Sequence, residues 1–163
     1  MLRSFGLPAR VRPRVVLGAC AGALALLAPA LTSPSEAAVY WANQRTDAIG
    51  RANLDGSLVD QSFITGADRP CGVAVDAGHI YWSNVGDGTI SRANLDGSAV
   101  ERDFISGANK PCGVAVDSGH IYWANTGAHS IGRADLDGDG ATQGFVSAPG
   151  INDPCGVAVN ATH

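Results

Sequence analysis

Short runs in which apolar residues alternate with small or polar ones recur along the chain, each closed by Gly or Asp. Gly113-Val114-Ala115-Val116-Asp117 alternates with period two and reads as a strand. Asp117-Ser118-Gly119-His120 is a tight turn, because Gly accepts positive φ and Asp bonds its own backbone. Ile121-Tyr122-Trp123-Ala124-Asn125 is a second strand, dense in the residue types that sheets favour. After the turn Thr126–His129 come a third strand, Ser130–Ala134, and a fourth over Ala141–Ser147. The unit predicts four short antiparallel strands.

The unit repeats. Tyr40-Trp41, Tyr81-Trp82 and Tyr122-Trp123 recur with a period of 41 residues. Pro70-Cys71-Gly72, Pro111-Cys112-Gly113 and Pro154-Cys155-Gly156 keep the same period, with a two-residue insertion before the last. Four-stranded units at a fixed period near 40 predict an all-β fold of β-propeller blades. From Val39 the chain holds strands two to four of one blade, two complete blades, and a lone first strand at Gly156–Asn160. That is about three blades' worth.

The segment before the repeats has a different character. Arg3, Arg10, Arg12 and Arg14 form a basic start, Val15–Leu31 is apolar, and small residues precede Val39. An apolar stretch of about 17 residues broken by Pro29 is short for a membrane span of ~20, so residues 1–38 read as a signal peptide. The expected mature chain, 39–163, is then secreted or held in the cell envelope, with no membrane attachment after cleavage. Lipidation at Cys20 is disfavoured, since too little apolar chain separates it from Arg14. The formal charge of −4, with Arg51, Arg92 and Arg133 spread one per repeat, argues against nucleic acid.

Val39-Tyr40-Trp41-Ala42-Asn43, Ile49–Gly56 and Pro70–Asp76 resemble the YWTD repeat of low-density-lipoprotein-receptor-type propellers. Asn43, Asn84 and Asn125 depart from it, standing where that family has Asp. The resemblance implies that the Pro-Cys-Gly run is the innermost strand beside a central channel. It also implies closure with six blades, twice what this chain holds, so the chain reads as a half or truncated propeller. The last residues, Ala161-Thr162-His163, stop where earlier copies continue into Ile-Tyr-Trp.

Candidate chemistry must be weighed against repetition, since a residue present in every blade belongs first to the blade. Tyr40, Trp41, Tyr81, Trp82, Tyr122 and Trp123 are expected to be structural, packed between blades on both faces. Cys71, Cys112 and Cys155 would ring one end of the channel. Splayed inner strands would put their Cα atoms near or beyond the ~7 Å bridging limit. That leaves small buried hydrophobes as the first reading, a disulfide between blades or across a dimer as the second, and a soft-metal or redox site as the third. His79, His120 and His163 read as turn residues packed on a neighbouring blade, and the three arginines as partners of Asp76 and Asp117. Asp135, Asp137 and Asp139 match the opening of a calcium loop, but the twelfth position is Val146 and the other copies are Asp-Gly hairpins, so a drifted turn comes before calcium. No other cofactor is expected.

A secreted, non-enzymatic binding or scaffolding surface for a protein or carbohydrate follows, with a homodimer that completes a six-bladed ring as a further expectation. The alternative is a channel enzyme of the streptogramin-lyase or gluconolactonase type.

Overall fold

The computed structural model describes residues 37–160. Residues 1–36 of the expected signal peptide, Cys20 among them, and His163 lie outside the described residues. Eleven strands form three antiparallel sheets. Blade one contains β1 (Ala38–Asn43), β2 (Ala48–Asn53) and β3 (Asp60–Thr65). Blade two contains β4 (Pro70–Val75), β5 (His79–Asn84), β6 (Thr89–Asn94) and β7 (Glu101–Ile105). Blade three contains β8 (Pro111–Val116), β9 (His120–Asn125), β10 (Ser130–Asp135) and β11 (Thr142–Val146), with a 3-10 turn at Thr126–Ala128. Strand order within each sheet is sequence order, as the hairpin pattern predicts.

The expected lone strand at Gly156–Asn160 does not form. A strand needs a ladder, and residues 154–160 have only isolated bonds to blade three, including Gly113 N–H to the Cys155 carbonyl and Thr126 Oγ1–H to the Pro154 carbonyl.

Backbone geometry follows the repeat even where side chains do not. Each junction between strands three and four carries a register shift at the same place, Ile49/Arg51, Ile90/Arg92 and Ile131/Arg133. Asp47, Gly88 and His129, 41 residues apart, all adopt positive φ.

Two apolar cores lie between blades and are copies of each other. One joins Tyr40, Ile49, Ile64 and Ala67 of blade one to Val73, Ile80, Trp82 and Ala93 of blade two. The other joins Tyr81, Ile90, Ile105 and Ala108 to Val114, Ile121, Trp123 and Ala134, each 41 residues further on. Each blade therefore has a Tyr face and a Trp face, and the Tyr face of one packs on the Trp face of the next. Trp82 and Trp123 are fully buried. Trp41 and Tyr122 are only half-buried, because the described residues place nothing against the Trp face of blade one or the Tyr face of blade three. The expectation that every Trp is enclosed on both faces fails for Trp41.

Candidate functional site

The inner strands β4 and β8 run side by side. Their approach is set by the glycine after each cysteine: a Cβ on Gly72 would lie 2.9 Å from Gly113 Cα and 2.8 Å from Val114 N. Glycine alone lets backbones come this close. The Cys71 and Cys112 Cα atoms are consequently 5.0 Å apart, and the two residues form a disulfide joining blades two and three. The expected separation of ~7 Å is thereby overturned, and with it the reading of these cysteines as small packing hydrophobes. Cys155 is free and exposed, its Sγ 2.6 Å from Cys112 Sγ, and all three sulfurs lie within 4.8 Å of one another.

A cleft of about 550 Å³ opens between blades two and three, where strand one turns into strand two. Val75, Val116 and Leu136 supply its apolar surface, and Asp76 and Asp117 its charge. Asp76 Oδ1 accepts the Gly78 and His79 N–H groups at 2.7 Å each, and Oδ2 accepts the Tyr81 hydroxyl at 2.9 Å. Asp117 holds Gly119, His120 and Tyr122 in the same way. Burial opposes the Asp76 carboxylate, but the three donors outweigh it and its pKa falls below the ordinary value. The Gly119 N–H leads the same lowering at Asp117. Burial first, then the bond to Asp76, pushes the Tyr81 phenol up. These carboxylates are ionised at neutral pH; three donors of the turn occupy both lone pairs of Oδ1 and one of Oδ2, which leaves one acceptor site on Oδ2 of each.

Residues 78–118 match the model of the low-density lipoprotein receptor repeat class B. The match runs from β5 of blade two through β8 of blade three. Among solved structures, a streptogramin B lyase matches with 20% identity over 76% of this chain and 42% of its own, at a TM-score of 0.60. Virginiamycin B lyase from Staphylococcus aureus matches with 17% identity over 75% of this chain and 42% of its own, at 0.56. One chain of the nidogen/laminin complex matches with 25% identity over 60% of this chain and 40% of its own, at 0.49. The two lyase likenesses show the fold alone, a β-propeller. The chain spans about two fifths of the length of each of these proteins. No curated protein matches it.

Asn125, which stands where the YWTD pattern that the chain resembles has Asp, lies beyond the matched residues and has a structural task. Asn125 Nδ2 donates to the Gln143 carbonyl (2.8 Å) and Oε1 (3.1 Å), while Oδ1 accepts the Asn109 N–H (3.0 Å). It ties strand two to strand four and to the loop entering its own blade. An ionised Asp could not donate, so at neutral pH the network requires the amide. The periodicity marked the position without revealing that it is buried.

Other sequence expectations change in detail. His79 and His120 lie beside the Tyr of their own blade, with ring centroids 6.0 Å apart, and His79 also lines the cleft shared with blade three. The adjacency follows from their place two residues before that Tyr on one strand face. The arginines do not pair with Asp76 or Asp117, whose oxygens the turn already uses. Arg92 lies over the Phe104 ring at 4.0 Å, bonds Glu101 at 2.8 Å, and donates to the Leu136 carbonyl of blade three. Arg133 lies over Phe145 at 4.1 Å. The Asp135–Asp139 loop is the hairpin of the other copies: Asp137 Oδ1 accepts the Asp139 N–H as Asp55 and Asp96 accept Ser57 and Ser98. Among the described residues no helix is long and apolar enough to cross a membrane.

Proposed function

We propose that this chain is an exported, non-enzymatic propeller segment whose inter-blade cleft binds an extended peptide or sugar. The observation that supports this is the state of Asp76 and Asp117. A general acid must hold a proton near neutral pH, and neither carboxylate does; a general base or nucleophile needs free lone pairs, and three donors of the turn take up most of those on each carboxylate. What remains is a fixed surface of Val75, Val116 and Leu136 with anionic walls, suited to a ligand presenting apolar faces and N–H or O–H donors. The test is a screen of the purified mature chain on immobilised glycans and peptides, alongside Ser118→Arg, which fills the cleft from its rim. Binding lost in the variant supports the reading. Binding indifferent to the substitution, or turnover of a streptogramin B or an aldonolactone by the parent, overturns it.

Export rests on the basic and apolar pattern of residues 1–38. N-terminal sequencing of secreted material should find cleavage between Ala37 and Val39; an acylated Cys20 would replace it with a lipoprotein.

The partner proposal rests on the two equivalent inter-blade cores. Blade three presents an uncovered Tyr face, including Phe145 and Val146 at 43% and 41% exposure, and blade one presents an uncovered Trp face with Trp41. These are the two halves of the contact the chain makes twice internally. A second copy related by a two-fold axis pairs each with its complement and completes six blades. Light scattering should give twice the chain mass, and a compact, cooperatively unfolding monomer would overturn it.

A further inference from the structure

The sulfur cluster contains a free thiol against a disulfide, and the two possible links are built alike. A Cβ on Gly72 meets Val114 N at 2.8 Å and Gly113 Cα at 2.9 Å; a Cβ on Gly113 meets Val157 N at 2.8 Å and Gly156 Cα at 2.9 Å. The chain segment of Cys155 thus approaches that of Cys112 as that of Cys112 approaches that of Cys71, and the Gly113 N–H fixes it through the Cys155 carbonyl. Cys112 stands between the other two: bonded to Cys71 on one side, 2.6 Å from Cys155 Sγ on the other. Cys112 is 9% exposed, whereas Cys155 is open to solvent, where a thiol can lose its proton.

We propose that Cys71, Cys112 and Cys155 form a thiol–disulfide exchange site, with Cys112 Sγ as the shared electrophile and Cys155 as the entering thiol. Cys155 gives its proton to solvent and its thiolate attacks Cys112 Sγ. The Cys112–Cys155 bond forms, the Cys71–Cys112 bond breaks, and Cys71 leaves as a thiolate that takes a proton from solvent. Nothing is oxidised or reduced overall. The bond moves between two repeat-equivalent positions whose backbones approach alike, the first held through Ser83 Oγ and the second by a direct Gly113 N–H bond. With an external disulfide, the Cys155 thiolate forms a mixed disulfide and releases the other half as a thiolate, which makes the exposed end of the site a covalent capture point for disulfide-bearing ligands.

The test is native alkylation of the purified, unreduced protein with iodoacetamide, followed by acid quench, digestion and mass mapping, in which the Cys20 peptide is read separately. Label should appear on both Cys71 and Cys155 and be absent from Cys112. In Cys71→Ser, Cys112 and Cys155 should bond and the labelled thiol be lost. Incubation with an aromatic disulfide should release one aromatic thiol per chain from this cluster, and none in Cys155→Ser. Label confined to Cys155 in the parent, or two alkylated thiols at Cys112 and Cys155 in Cys71→Ser, would overturn the proposal; the first readout involves no substitution and is independent of any folding defect.

Discussion

Trp123 closes over Gly132, its partner across the β9–β10 ladder, so tightly that a Cβ on that glycine would lie 2.5 Å from Trp123 Cζ2. Trp41 stands in the same relation to Gly50, at 2.6 Å from Cζ2. In the middle blade the partner of Trp82 is Ser91, which has a Cβ. Gly132→Ala should therefore force the indole aside and cost about 1–3 kcal/mol, the range for overpacking a filled site, measured by denaturant unfolding. An unchanged midpoint would mean the indole has room to move.

The middle blade differs at the indole nitrogen as well. Trp123 Nε1–H donates to Gln143 Oε1 at 3.0 Å and Trp41 Nε1–H to Gln61 Oε1 at 3.2 Å. Trp82 Nε1 is buried without a partner, because the equivalent residue is Arg102, which instead donates to the Thr65 and Gly66 carbonyls of blade one. Gln143 performs both tasks, its Nε2 reaching the Ser106 carbonyl of the preceding blade. Ser91→Gly alone removes the bonds of Ser91 Oγ to Asn84 Nδ2 and the Arg102 carbonyl, and Arg102→Gln alone removes two bonds to blade one, so each should destabilise. The double variant, which gives the Trp82 indole and the Asn84 amide the partners that Gln143 gives Trp123 and Asn125, should be less destabilised than the sum by about 1 kcal/mol. A double-mutant cycle should show coupling between the two sites; strict additivity would sink the explanation.

Trp82→Ala and Trp123→Ala should each cost about 3–5 kcal/mol, as deletion of a fully buried indole leaves a large cavity. Trp41→Ala should cost clearly less in the monomer, since its face is open. If the protein is a dimer, that substitution should raise the protein concentration at which half of it has dissociated, which sedimentation can follow.

Acid should loosen the blade turns. The folded-state pKa values of Asp76 and Asp117 lie below the ordinary 3.8. Their contribution to stability is therefore fully present above that value and is lost as pH falls through the lower, folded-state values. Melting temperature should drop as pH falls below about 4, and the drop should shrink in the Asp76→Asn, Asp117→Asn double variant. An equally steep decline in that variant would assign the acid sensitivity elsewhere.

Asn125→Asp tests the departure from the family's acidic residue. At neutral pH it buries a carboxylate against the Gln143 carbonyl and removes the donor, with an expected cost of about 3 kcal/mol. The cost should fall as pH is lowered, because a protonated Asp can donate again. Stability independent of pH in this variant would show that the amide donor is dispensable.

The amino-acid sequence by itself determined the blades. A period of 41, alternating apolar positions and Asp-Gly turns specify local strands and hairpins, and their register follows because a one-residue slip would move every side chain to the other face. It also located the Tyr, Trp and Cys positions, since repetition is visible without coordinates. Tertiary structure decided what those positions touch. Whether Cys71 reaches Cys112 depends on how closely β4 approaches β8, a distance set by Gly72 against the backbone of another blade. That Trp82 lacks a partner while Trp123 has one depends on Ser91 and Arg102, residues nine and twenty positions away that meet the indole only through sheet pairing. The burial of Asn84 and Asn125, and the exposure of Trp41 and Tyr122, arise from stacking one blade on the next. Such packing is non-local, and no pattern within a single repeat records it.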